Sequence, residues 1–241
     1  KQNKTVKYAA MNYARKQKEI LERLEALSWA GESPASSVPL SSDFEVDARL
    51  CLTFLSFLPT AIKETVTTLV EELKALDPDQ YFYLPESLHI TIQNVRRIAD
   101  PPTFTTTDIT SADRAFRETV AEKKLKPIRF NLSGLLLLPT SLAVTAYTEK
   151  NYGDFVKALR QNLKKHKIPD NKSYISDDIV FGNITIARFG SPPSIKLKER
   201  VAGLKVSFSG GEYLAEDICL VTTSAVCHPD FTTIRHRYRL E

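Results

Sequence analysis

One short phrase occurs twice in this chain. Residues 86–95 read ESLHITIQNV and residues 180–189 read VFGNITIARF, so His89-Ile90-Thr91-Ile92 and Asn183-Ile184-Thr185-Ile186 stand 94 positions apart. Each copy closes the same kind of run. In the first, ARLCLTFLSFLP (48–59) has the apolar and β-branched content of a strand and ends at Pro59. The following segment, 60–76, puts Ile62, Val66, Leu69, Leu73 and Leu76 on one helical face. A second strand follows at 88–95. In the second run, IRFNLSGLLLLP (128–139) and LAVTAYTE (142–149) read as two strands joined by a short turn at Pro139. A helix over 151–167 then carries Tyr152, Phe155, Val156, Leu159 and Leu163 at helical spacing, and a strand at 179–189 bears the second motif. A further helix is expected at 111–123, and EDICLVTT (216–223) is the clearest strand of the C-terminal region.

An isolated His-x-Thr is close to noise. Two related motifs, each ending a strand–helix–strand run, predict a duplicated α+β fold. Its β-α-β units are related by a pseudo-two-fold axis. Because strand side chains alternate, His89, Thr91 and Gln93 share one face, as do Asn183, Thr185 and Ala187. Across a two-fold these faces meet. Arg188 falls on the opposite face of a regular strand, and a structural ion pair and a substrate contact from the strand end are equally open to it.

Length and composition set the outer limits. The 241 residues fit one domain, or one domain made of two similar lobes. A 42% hydrophobic and 26% charged chain is an ordinary globular one, and the net charge of +4 accords with a nucleotide or RNA substrate without establishing one. Cys51, Cys219 and Cys227 are odd in number and lack CxxC spacing, which argues for buried reduced thiols over a metal site or disulfide framework. Every apolar run falls short of the ~20 residues of a membrane span.

Residues 1–30 have the pattern of an amphipathic helix, with Val6, Ala10, Tyr13, Ala14, Ile20, Leu21, Leu24 and Leu27 apolar among many charges. A Ser/Pro-rich linker is expected at 31–46, and the main domain at 47–241. The helix is expected to dock on that domain or on a protein partner. No membrane partner is expected, and the expected location is cytoplasmic; a targeting segment ahead of Lys1 stays open.

Two strands that present His-x-Thr across a cleft suit phosphoester chemistry. One imidazole takes a proton from the attacking oxygen and the other protonates the departing one, while threonine hydroxyls bond the non-bridging phosphate oxygens. With RLCLTFLSFLP before a helix, LHITI, the two central strands, FGNITIARF and the closing TTIRHRYRL, residues 47–240 resemble the 2H phosphoesterase superfamily, the LigT-type 2′-5′ RNA ligases and 2′,3′-cyclic phosphodiesterases. The resemblance implies a bilobal α+β fold with antiparallel sheets around a central cleft, no cofactor or metal, and RNA ends or nucleotides with cyclic or 2′-linked phosphates as ligands. It makes His89 and Asn183 the catalytic pair, Thr91 and Thr185 the phosphate ligands, and Gln93 and Arg188 further substrate contacts. The departure is Asn183, which stands where the family has its second histidine. An amide donates hydrogen bonds but carries no proton near neutral pH. His89 is then the surviving acid/base, in an enzyme of reduced activity or in a silent binding module using the same cleft. No spacing places His166, His228 or His236 in that cleft. The basic stretches 157–167 and 235–239 suit RNA steering and solvated surfaces equally.

Overall fold

The computed structural model describes residues 2–32, 35, 38, 41 and 43–241, with residues 2–11 as backbone alone. The side chains of Val6 and Ala10, and positions 33, 34, 36, 37, 39, 40 and 42 of the expected linker, lie outside the described residues. After α1 (Gln2–Trp29) come β1 (Leu50–Phe57), α2 (Thr60–Lys74), β2 (Tyr81–Phe82), β3 (His89–Ala99) and α3 (Thr106–Lys123). The second half follows as β4 (Ile128–Leu138), β5 (Ser141–Thr148), α4 (Lys150–Lys165), β6 (Gly182–Arg188), α5 (Ile195–Leu204), β7 (Ser209–Ala215), β8 (Asp217–Thr223) and β9 (Thr233–Arg239).

Two sheets result, in the orders β3-β1-β8-β9 and β2-β6-β5-β4-β7, and every strand pairing is antiparallel. The duplication is visible in that order, since β3-β1-β8-β9 and β6-β5-β4-β7 correspond strand for strand. In each lobe the motif strand pairs with the strand that opened its own strand–helix–strand run. α2 and α4 lie in the connections between these paired strands.

The two motif strands also share an irregularity. Phe54 and Leu55 pair with Gln93 and Thr91, so Ile92 is an extra residue on β3; Leu142 and Ala143 pair with Ala187 and Thr185, so Ile186 is extra on β6. A bulge at the residue after the motif threonine resets the side-chain alternation. This corrects the regular-strand expectation for Arg188, which now faces the cleft together with Asn183 and Thr185.

The isoleucines of both motifs point the other way. Ile90, Ile184 and Ile186 are fully buried and Ile92 nearly so, in one core that also takes Phe54, Phe116, Phe130 and Phe155. The rings of Phe54, Phe116 and Tyr238 stack in succession at 4.8 and 4.3 Å, tying α3 to the outer face of the first sheet. Phe130 meets Tyr152 of α4 at 5.4 Å on the second. α3 and α4 are joined by Asn162 Nδ2 donating to Thr119 Oγ1 at 2.9 Å.

The first helix is built into this body. Gln17, fully buried, donates from Nε2 to Val180 O (2.6 Å) and accepts from Thr148 N–H (3.2 Å), while Tyr13 OH accepts from Val180 N–H at 3.0 Å. Trp29 Nε1 donates to Leu137 O at 3.0 Å. These bonds position the residues just ahead of β6.

At the junction of the lobes, Gly182 opens β6 beneath the first motif. A Cβ placed there would lie 3.0 Å from Phe130 Cε1 and 3.1 Å from Ile90 Cγ2. Valine at 182 therefore forces β3 and β6 apart. Gly182→Val is expected to lower stability in urea denaturation by about 1–3 kcal/mol, the usual cost of overpacking. An unchanged midpoint would show that the strands do not rely on this close approach.

Candidate functional site

The bulged faces of β3 and β6 open onto one cavity of about 430 Å³. His89, Thr91, Gln93, Asn183, Thr185 and Arg188 all line it. The sequence placed these residues on two separate strands, and the fold brings all six to one space. The two motifs are also linked through the backbone: Tyr83 N–H, six residues ahead of His89, donates to Ile186 O at 3.0 Å.

His89 is half-buried and its orientation is set locally. Nδ1 lies 2.6 Å from Ser87 O, the last residue of a single 3₁₀ turn at Pro85–Ser87, which fixes the Nδ1–H tautomer and turns Nε2 away from the turn. The side-chain partner of this imidazole is the thiol of Cys227. That thiol is held at 3.7 Å from Thr232 Oγ1, on a residue with left-handed backbone (φ 56°), which its N–H bond to Ser224 O helps to stabilise. Burial pulls the His89 pKa down, but the Cys227 thiol and the Ser87 carbonyl more than offset it, so the imidazole sits above its ordinary value. Burial pushes the Cys227 thiol up, and His89, Thr223 and Thr232 together bring it below its ordinary value. The two shifts run in opposite directions, as expected where an imidazole and a thiol stabilise each other's charged forms. Arg188 opposes the charge on His89, and its Nε donates to Tyr83 OH at 3.3 Å.

Asn183 does retain a donor. Its Nδ2 lies 3.4 Å from Thr185 Oγ1, a weak contact that leaves the amide able to turn towards an anion. Gln93 lines the cavity, yet its amide is engaged. Nε2 donates to Tyr174 OH (3.1 Å), and Oε1 accepts from Arg160 Nε (2.9 Å). Tyr174 OH donates in turn to Asp170 Oδ2 at 2.8 Å, and the Arg160 guanidinium lies 3.6 Å over the Tyr174 ring. Gln93 thus anchors the loop 166–181 across the cleft, and that loop brings Lys172 to the cavity wall.

The other three histidines lie away from the cavity. His166 bonds Glu118 at 2.8 Å, His236 lies 3.7 Å from Asp113, and His228 contacts Asp230. Among the described residues lining the cleft, His89 is the one imidazole. Much of the basic charge in 157–167 and 235–239 is matched by acids: Lys157 with Asp154, Arg237 with Asp217, Arg239 with Glu216. Arg160 is the member of those stretches that reaches the cleft.

Cys227, Lys172, Tyr83 and Arg160 escaped the sequence reading. Cys227 lies 138 positions from His89 and its neighbours AVCHPD look like an ordinary turn. A ten-residue polar stretch directly ahead of a motif strand (169–178) was the signal for the Lys172 loop.

Solved structures share this architecture. The protein TT0787 of Thermus thermophilus superposes with a TM-score of 0.54 at 18% identity, covering 79% of this chain and 97% of its own. A conserved protein, ATU0111 of Agrobacterium tumefaciens, gives 0.52 at 15% identity over 90% of this chain and 97% of its own. A phosphoesterase gives 0.51 at 15% identity over 80% and 98%. No protein-family model matches the chain, and no curated protein matches it by sequence.

The Cys227–His89 pairing has a direct consequence. In Cys227→Ala, burial and Arg188 act on the imidazole without the thiol that opposes them, so the His89 pKa falls. An NMR titration of the ring protons reads this, and an unchanged pKa would exclude the pairing. At these identities the likeness to solved structures is one of fold: the chain shares with them its α+β architecture of two antiparallel sheets.

Proposed function

We propose that the chain is a 2H-type phosphoesterase-like protein acting on 2′,3′-cyclic phosphate or 2′-5′-linked RNA or nucleotides, without a metal, and slowed by Asn183. The observation that carries this reading is the convergence of His89, Thr91, Asn183, Thr185 and Arg188 on one cavity from two sequence-distant strands. In it the phosphate lies between the motifs. The Thr91 and Thr185 hydroxyls, the Asn183 amide and the Arg188 guanidinium hold its non-bridging oxygens.

The raised pKa of His89 suits it to serve as the general acid that delivers a proton to the departing 2′ or 3′ oxygen. Water attacks phosphorus from the opposite side as the P–O bond to the departing oxygen breaks; Asn183 positions the water but takes no proton, so the proton it releases passes to a non-bridging phosphate oxygen or to solvent. Losing one of two proton carriers costs roughly 10²- to 10⁴-fold in rate. Gln93 belongs to the frame of the site, since its amide is spent on the loop.

A binding role without turnover is the second reading, and Asn183 is the observation that favours it. Hydrolysis of a panel of 2′,3′-cyclic nucleotides separates the two. Asn183→His is expected to raise the rate by about 10²- to 10⁴-fold over the parent. Adding His89→Ala removes that gain, and a chelator leaves it untouched. If no variant turns over but the cyclic nucleotides bind, the cleft is a binding module. If they neither bind nor react, the phosphoesterase reading is wrong.

A further inference from the structure

The cleft carries more positive charge than one phosphate needs. Lys172 stands on the loop between α4 and β6, where its backbone N–H donates to Asp170 Oδ1 at 3.2 Å. The Arg160–Gln93–Tyr174–Asp170 bonds pin that loop to β3 and α4, so the Lys172 side chain is held at the cavity wall rather than in solvent.

The charged and titratable groups that face Lys172 come from four places: Cys51 on β1, Asp170 on its own loop, Arg97 on β3 and Arg188 on β6. They do not neutralise it. Cys51 is an uncharged thiol, pushed up to about 12 chiefly by burial. Asp170 is shared with Arg160 at 3.5 Å and with the Tyr174 hydroxyl. Among the described residues no carboxylate forms an ion pair with the Lys172 ammonium. Burial, joined by Arg97 and Arg188 and opposed by Asp170, draws this amine down to about 8. A part-buried ammonium beside two guanidiniums is in the state that an incoming anion stabilises most.

The placement extends beyond the motifs. Arg188, Lys172 and Arg97 line the same cavity as the motif threonines, and Arg97 is eight residues past His89, about 25 Å along an extended strand. Positive charge therefore continues from the motif threonines through Arg188 and Lys172 towards Arg97.

We propose that Lys172, with Arg188 and Arg97, forms a second anion subsite in the cleft, and that the ligand is a nucleotide or RNA 3′ end bearing a further phosphate beyond the one at Thr91, Asn183 and Thr185. This rests on the reading that the first phosphate lies between the motifs. A mononucleoside cyclic phosphate fills that first position alone; a ligand with an added phosphate fills both. Binding there also raises the Lys172 pKa, so the complex takes up protons at a pH near that pKa and takes up none well below it, where the amine is already charged.

Isothermal titration calorimetry near pH 8, in two buffers of different ionisation enthalpy, measures affinity and proton uptake together. The probes are adenosine 2′,3′-cyclic phosphate, its 5′-phosphorylated form, an adenosine trinucleotide ending in a 2′,3′-cyclic phosphate, and inorganic pyrophosphate. The expected result is a gain of about tenfold or more in affinity at the first probe whose added phosphate reaches Lys172, the effect of one charge-assisted hydrogen bond. That gain comes with proton uptake and weakens as salt is raised. Lys172→Met loses both gain and uptake. Lys172→Arg, which keeps the charge but does not titrate, keeps the gain and loses the uptake.

Equal affinity across the nucleotide series, or proton uptake that survives Lys172→Met, overturns the subsite. If the cyclic mononucleotide fails to bind while pyrophosphate still binds with Lys172-dependent uptake, the subsite stands and the phosphoesterase reading is what fails.

Discussion

The site depends on how closely β3 and β6 approach one another. Each strand carries isoleucines on its core side and polar motif residues on its cleft side, so the lobes join only where both isoleucine rows enter one core. Ile90 reaches the backbone of Gly182, where a Cβ would stand 3.1 Å from its methyl, and Tyr83 N–H closes on Ile186 O. With the apolar rows interlocked on one side, the polar rows have no freedom but to flank a common space on the other. The matching bulges at Ile92 and Ile186 then rotate the strand ends, and Arg188 turns in towards the phosphate position as a result. A hydrophobic junction thus fixes polar geometry several ångströms away.

Electrostatics in the cleft follow from what that junction excludes. Cys227 is buried, His89, Lys172 and Arg188 are half-buried, and among the described residues Asp170 is the carboxylate that acts on Lys172. Cys227 raises the His89 pKa against burial, while burial lowers that of Lys172. Both responses leave a resting site short of negative charge, a condition that an anionic ligand relieves.

The halves of the fold differed in how readable they were. β1, α2, β4, β5 and α4 announce themselves because each must bury one face or both, and burial imposes period on sequence. β7 is different: SGGEYLA has two glycines and alternates burial poorly, so it is a strand only because β4 offers a partner. The helix α3 begins at Thr106, five residues before the expected 111. A capping box, with Thr105 accepting from Asp108 N–H and Asp108 accepting from Thr105 N–H, overrides the weak apolar pattern of its first turn. His89, Thr91, Asn183 and Thr185 could be placed on matching strand faces because their spacing repeats, whereas the inward turn of Arg188 depends on a bulge at Ile186 that leaves no mark in the spacing. Cys227 and Lys172 were not legible, since each reaches the cleft through loop geometry, which leaves no periodic trace.

The asparagine itself is informative when set beside what surrounds it. Had position 183 been released from the cleft, a small apolar residue would serve it best between Gly182 and Ile184. Instead an amide is retained, half-exposed to the cavity, with its donor resting weakly on Thr185. An amide there keeps the hydrogen-bonding part of a histidine's role and discards the proton-carrying part. The same separation recurs across the axis, where Cys227 occupies His89 from one side and biases it towards the charged form. One motif retains a donor without a titrating group, and the other a titrating group with a raised pKa. On the reading proposed above, a cleft so arranged grips a phosphate better than it turns one over quickly.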